Sequence, residues 1–250
     1  GNQSGIPYVS GWEYFDERYL GKPLVFCGTI GTLPKTVRGR RGHEKSIKPG
    51  DLVVMAGGRI GKDGIHGATF SSEELRQESP AQAVQIGDPI TQKMMFDFLL
   101  EARDQGLYSA ITDNGAGGLS SSVGEMARQP GGARLDLARA PLKYQGLAPW
   151  EILVSEAQER MTLAVPAERL DTFLALARRR EVEATDLGEV TAEPYLHVLH
   201  AGTTVALLPM EFLHEGDPEM RLTAEWVEPA RLPWRALPRP VRAGDGDALV

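Results

Sequence analysis

Apolar and polar positions change their rhythm several times along this chain, and the changes mark out its elements. Pro23 to Leu33 (PLVFCGTIGTL) is an apolar run, and the stretch that follows, Thr36 to Gly50 (TVRGRRGHEKSIKPG), is too basic and glycine-rich to be core. Residues 1–48 therefore have room for one or two strands and a linker. Asp51 to Ala56 (DLVVMA) follows the turn signal Pro49-Gly50, predicts a strand, and places the start of a new domain near Pro49. Gly87 to Gly106 predicts a helix with Asp88 as N-cap, Pro89 at the first position and Gly106 as the stop. Ile90, Met94, Phe96, Leu99 and Leu100 are its expected buried face.

A short strand is expected over 108–112, then the glycine cluster Asn114 to Gly118 and a helix from Ser120 to Arg128. Glu159 to Val165 alternates as a strand, and Ala167 to Arg180 repeats Leu170, Phe173, Leu174 and Ala177 at helical spacing. Tyr195 to Leu199 and Thr204 to Leu208 read as a hairpin across His200-Ala201-Gly202. From Glu228 a Pro/Arg/Gly/Asp mixture has no periodicity and reads as an interdomain linker or tail. The pattern is mixed α and β, without an internal repeat.

Composition narrows the function classes. The 250 residues are 42% hydrophobic and 24% charged, ordinary for a globular chain, with a formal charge of −7. That charge argues against a sequence-independent nucleic-acid binder, which needs a basic footprint. An anionic ligand would need local help from glycine-turn N–H groups, helix N-termini or a divalent cation. The single cysteine, Cys27, excludes an internal disulfide and reads as an inert thiol buried in an apolar strand, consistent with a cytoplasmic address. No stretch is long and apolar enough for a membrane-spanning helix. The opening GNQSGIPYVSG reads as a loop inside a longer polypeptide.

Four places could carry chemistry. The segment Gly57 to Leu75 (GGRIGKDGIHGATFSSEEL) follows a strand and precedes a helix start. Its Gly61, Gly64, His66 and Gly67 form a candidate loop for phosphate approach, against the competing account of a tight turn needing positive φ. It fails the Walker pattern because Asp63 follows Gly61-Lys62. Asp113, in ITDNGAGGLSSS, is a strand-end carboxylate suited to magnesium, or else the cap of its own turn. Gln85, before the helix start, could read a polar substrate group or bond to nearby backbone. Glu156 and Gln158, in LVSEAQERM, must face water, a partner or a site, while a buried Glu159–Arg160 pair is the competing structural account there. His66 is the histidine best placed for chemistry; His43, His197, His200 and His214 read as linker, strand and turn residues. No zinc site and no covalent nucleophile is indicated.

In order, GNQSGIPYVSG, GGRIGKDGIHGATFSSEEL, VQIGDP, ITDNGAGGLSSS, PLKYQGL and SEAQERM resemble phosphoribosylformylglycinamidine synthase over nearly the whole chain to about Trp226. The resemblance implies an α+β fold, a mixed α/β sandwich of the aminoimidazole ribonucleotide synthetase C-terminal type. Residues 1–48 would end a first A domain, 49–226 would form the first C domain, and 227–250 would lead toward a second A domain. It further implies that Gln85 and Glu156-Ala157-Gln158 contact formylglycinamide ribonucleotide, that Asp113 binds magnesium, and that ATP is a substrate. The partners implied are the remaining synthetase domains and a glutaminase domain or subunit, with neither nucleic acid nor membrane among them. The family usually has Glu-Ser-Gln where this chain has Glu156-Ala157-Gln158, so contact at Ala157 must use backbone. Its catalytic histidine, nucleotide lysine and other magnesium carboxylates would precede Gly1. The competing readings are another ATP-dependent member of the same superfamily, which QIGDP and EAQER disfavour, and a noncatalytic nucleotide-binding or assembly module.

Overall fold

The computed structural model of the chain describes residues 2–73 and 87–226. The chain divides into two units, Gly1–Gly216 and Asp217–Val250. In the second unit, residues 217–226 carry no regular secondary structure, and Met220, Leu222 and Trp226 are exposed.

The first unit begins with short 3-10 turns at Asn2–Ser4 and Glu17–Tyr19, then a small hairpin of β1 (Thr36–Val37) and β2 (Arg40–Arg41). The elements that follow are β3 (Leu52–Gly57), α1 (Gly67–Ser72), α2 (Pro89–Gln105), β4 (Ala110–Asp113), α3 (Gly118–Ala127) and β5 (Gly132–Asp136). After them come α4 (Pro149–Val154), β6 (Arg160–Val165), α5 (Leu170–Arg179), β7 (Ala184–Thr191), β8 (Tyr195–His200), β9 (Thr203–Pro209) and α6 (Met210–Glu215).

One seven-stranded sheet in the order β4-β6-β3-β7-β5-β8-β9 organises the unit. Every neighbouring pair is antiparallel except β5 with β8. Helices cover both faces. On one, Val53 and Met55 of β3 join Leu119, Val123 and Met126 of α3, Ile152 of α4 and Met210 of α6. On the other, Val54 and Ala56 join Met95, Phe98, Leu99 and Ala102 of α2 and Phe173, Leu176 and Ala177 of α5. A strand buried on both faces has no polar side to show, which is why DLVVMA reads as a continuous run rather than an alternation. The expected mixed α/β sandwich is the architecture observed.

α2 has the predicted caps. The Asp88 side chain accepts from the N–H groups of Ile90 and Thr91, Pro89 opens the helix, and Gly106 closes it at φ 67°. Its buried face differs from the predicted one: Ile90 and Phe96 are 69% and 51% exposed, whereas Met95, Phe98 and Ala102 are buried with Leu99. Apolar residues surround this helix, so periodicity alone could not choose the stripe that meets the sheet. The predicted hairpin forms as β8 and β9, with Ala201 and Gly202 at φ 50° and 80°. Positive φ at both central residues is the type I′ geometry that matches strand twist.

Residues 1–48 depart from expectation. The apolar run forms no strand, and Leu24, Val25, Phe26, Ile30 and Leu33 are exposed. Cys27 is exposed too, not buried, because no described strand lies beside it to cover it. The strands of this region lie instead in the basic stretch, where Arg38 and Gly39 at φ 50° and 80° close the two-residue hairpin. His214 lies in α6 rather than in a turn, its Nε2 3.1 Å from Gly124 O. β5, β7 and α4 had no counterpart in the sequence reading.

Candidate functional site

The turn between α4 and β6, residues Ser155 to Glu159, is the point where the chain's distinctive segments meet. It is built on Arg160, the first residue of β6, which pairs with Gly57 of β3 and is only 3% exposed. The Arg160 guanidinium donates from Nε to Ala157 O at 2.7 Å and from Nη2 to Ser155 O at 2.5 Å, and its Nη1 lies 3.7 Å from Met55 Sδ. Ser155, fully buried, donates its hydroxyl to Gly61 O at 2.7 Å. Glu159 takes a left-handed φ of 57°, which turns the chain from the loop into the strand.

Glycines let this turn approach its neighbours. A Cβ at Gly57 would lie 2.1 Å from Glu159 O, at Gly64 2.8 Å from Glu156 C, and at Gly118 2.2 Å from Ser155 O. At Gly64 the close approach is thus by the protein's own backbone. At Gly61 a Cβ would meet Asp63 Oδ1 at 2.1 Å.

Glu156 joins the two glycine-rich segments. One carboxylate oxygen accepts from Ala68 N at 2.9 Å, in the first turn of α1, and the other from Gly117 N at 3.3 Å, just before α3. Unpaired N–H groups at helix starts favour an anionic acceptor, and this carboxylate supplies one. Glu159 makes the connection to a further segment: its Oε1 accepts from Asp88 N at 2.8 Å. Burial holds the Glu159 carboxyl above the usual carboxylate range, against the lowering effect of that hydrogen bond. The Glu159–Arg160 ion pair weighed from the sequence does not form, since the two side chains point to different partners.

The segment Pro141 to Leu147 fastens the glycine loop from the other side. Ile60 N donates to Pro141 O at 2.9 Å, and Lys62 N donates to the Tyr144 hydroxyl at 2.7 Å. The Lys143 ammonium lies 2.6 Å from Asp63 Oδ2, and Lys62 Nζ lies 3.1 Å from the Glu151 carboxylate. The hydrogen bond from Ala148 N is the main cause holding the Glu151 carboxyl below its usual range.

Asp113 stands exposed at the end of β4, as read from the sequence, with Oδ1 accepting from Gly115 N at 2.9 Å. His66 precedes α1 at φ 59° without capping it through its side chain, and Gly67 begins that helix. Ala157 is buried. Gln158 is exposed, and its Nε2 donates to Glu156 O at 3.1 Å. Gln85 lies outside the described residues. Among the described residues no group of three or more His, Cys, Asp or Glu side chains is placed to hold a metal ion. Also among them, no helix is long and apolar enough to cross a membrane.

The sequence alone gives Ser155 no role and Arg160 only a pairing with Glu159, yet these two residues shape the turn. Their signal was their position at the two ends of SEAQER, one at a helix end and the other at a strand start.

Residues 48–200 match the model of the family described as AIR synthase related protein, C-terminal domain. The phosphoribosylformylglycinamidine synthase subunit PurL of Methanopyrus kandleri is 41% identical over 234 residues, covering 91% of this chain and 31% of that protein. The structure of T. maritima PurL complexed with FGAR is similar at a TM-score of 0.68 and 34% identity, over 76% of this chain and 31% of that one. T. maritima PurL complexed with ATP gives a TM-score of 0.63 and 28% identity, over 78% and 30%. The chain thus spans about a third of the length of these relatives. With the family match covering more than half of its residues, the chain belongs to the AIR synthase related proteins through their C-terminal domain.

Proposed function

We propose that this chain is a piece of a phosphoribosylformylglycinamidine synthase. That enzyme is an ATP-dependent carbon–nitrogen ligase of purine biosynthesis. It converts formylglycinamide ribonucleotide to formylglycinamidine ribonucleotide with glutamine-derived ammonia. The observation that carries the reading is the 41% identity with a PurL subunit across 91% of this chain. The meeting of the glycine loop, the Gly117 turn, the α2 start and Pro141 to Leu147 around Ser155 to Arg160 supports it, because the segments of the resemblance become one surface.

In this reading residues 1–48 end the first A domain, 49–226 form the first C domain, and 227–250 lead toward a second A domain. The exposed Trp12, Phe15, Val25, Phe26 and Ile30 accord with this, since the rest of an A domain would cover them. The other partners are a glutaminase domain or subunit, and the address is cytoplasmic.

The reaction passes the γ-phosphoryl group of ATP to the amide oxygen of the substrate, and ammonia then displaces phosphate. Gln85, Glu156 and Gln158 orient the substrate, and the buried, hydroxyl-free Ala157 serves through its backbone, whose carbonyl holds Arg160 and whose N–H meets the Ser155 hydroxyl, by shaping the turn between them. Asp113 offers a carboxylate with one oxygen engaged by Gly115 N, which suits magnesium, a cation that takes few protein ligands besides phosphates and water. Magnesium bound there would offset phosphate charge. Gly61, Gly64, His66 and Gly67 form the loop on the phosphate side.

The test is the full-length protein incubated with ATP, ammonium and formylglycinamide ribonucleotide. ADP release that requires the ribonucleotide is expected; release indifferent to it, or none, sinks the reading. The 250-residue chain alone should form no product.

A further inference from the structure

Arg160 is a buried cation that the reading above does not use. Its guanidinium is almost fully enclosed, and among the described residues no carboxylate lies within ion-pair reach of it. Its acceptors are the carbonyl oxygens of Ser155 and Ala157 and the Met55 sulfur. Burial lowers its pKa to about 10, so it stays charged at neutral pH. A buried charge hydrogen-bonded to carbonyls, with the Asp63 carboxylate acting on it only from beyond ion-pair distance, is costly, and fold stability alone would be served better by an apolar side chain of similar volume.

Its two strong hydrogen bonds define what it does. They run to Ser155 O and Ala157 O, the carbonyl oxygens of the two residues that flank Glu156 in the chain. A planar guanidinium donates along fixed directions, so engaging both carbonyls restrains the backbone that runs between them, through Ala157 as well as through Glu156. Glu156 is the residue whose carboxylate takes Ala68 N and Gly117 N, tying the His66 loop to the turn after Asp113.

We propose that Arg160 is a positioning residue: by gripping Ser155 O and Ala157 O it holds the Glu156 carboxylate on the two glycine turns and so sets the spacing of the substrate surface. The consequence for substrate rests on the synthase reading; the consequence for the turn does not.

The test uses Arg160→Lys and Arg160→Met, with Glu156→Ala to define a lost contact. Lysine keeps the charge but not the fork, so a role limited to burying charge would leave its Glu156 contacts intact. In the 250-residue chain, the amide proton resonances of Ala68 and Gly117 are expected to move in both Arg160 variants toward their Glu156→Ala positions, with far-ultraviolet circular dichroism unchanged. In the full-length protein, KM for formylglycinamide ribonucleotide should rise on the order of tenfold in Arg160→Lys, with kcat changed much less. Wild-type amide positions in a folded Arg160→Lys protein would overturn the proposal. Loss of folding in both Arg160 variants would overturn it as well, because the residue would then be a structural requirement. If the amides move while the wild-type enzyme ignores the ribonucleotide, the synthase reading fails and the positioning role stands.

Discussion

Gly118 and Ser155 stand so close that a Cβ on Gly118 would lie 2.2 Å from the Ser155 carbonyl oxygen. The first residue of α3 thereby packs directly on the turn that carries Glu156, with φ at 57°, a conformation costly to any side chain. Gly118→Ala should combine backbone strain with overpacking and lower stability by about 3 kcal/mol. Urea unfolding would register the loss, and a stability within a few tenths of wild type would show that the two segments can move apart.

Asp113 offers a test of chemistry without a test of folding. Its side chain is exposed and its hydrogen bond to Gly115 N needs only an oxygen acceptor, which asparagine retains. Asp113→Asn in the full-length protein should keep its melting temperature and lose most magnesium-dependent ATP turnover. Turnover near that of wild type would remove Asp113 from the metal assignment.

Phe98 of α2 meets Phe173 of α5 edge-on, with ring centroids 5.0 Å apart at 72°, in the core beneath the sheet. Both are fully buried. Phe98→Ala should cost about 4 kcal/mol, and a double-mutant cycle with Phe173→Ala should give a coupling of about 1 kcal/mol. Equilibrium unfolding of the four proteins measures both quantities.

Glu101 joins the middle of the sequence to its later part by accepting from Arg180 Nε at 2.7 Å and pairing with Arg179. The Arg180 hydrogen bond is the main cause holding its carboxyl below the ordinary 4.5. A lowered folded-state value means its stabilisation is complete above 4.5 and is lost as pH falls through that lowered value. Glu101→Gln should therefore melt lower than wild type at neutral pH, and the two should converge on acidification. A constant difference across the acid range would contradict the assignment.

Local signals in the sequence were enough for much of this architecture. Asp88, Pro89 and Gly106 carry the ends of α2 in their own backbone preferences, and Ala201-Gly202 carries its hairpin turn. The order of motifs carried the family. β7 was illegible because Gly188 and a register shift opposite Val53 and Val54 break its alternation, and α4 was too short for a period to emerge. Asp113 could be placed at a strand end, yet nothing local indicated that Glu156 would reach Ala68 and Gly117, 88 and 39 residues away. Caps, turns and runs are settled among neighbouring residues, so they are written in the chain. Which face of α2 is buried, where the Arg160 charge goes and what Glu156 holds depend on partners distant in sequence, and only the packing of the sheet against its helices brings those partners within reach.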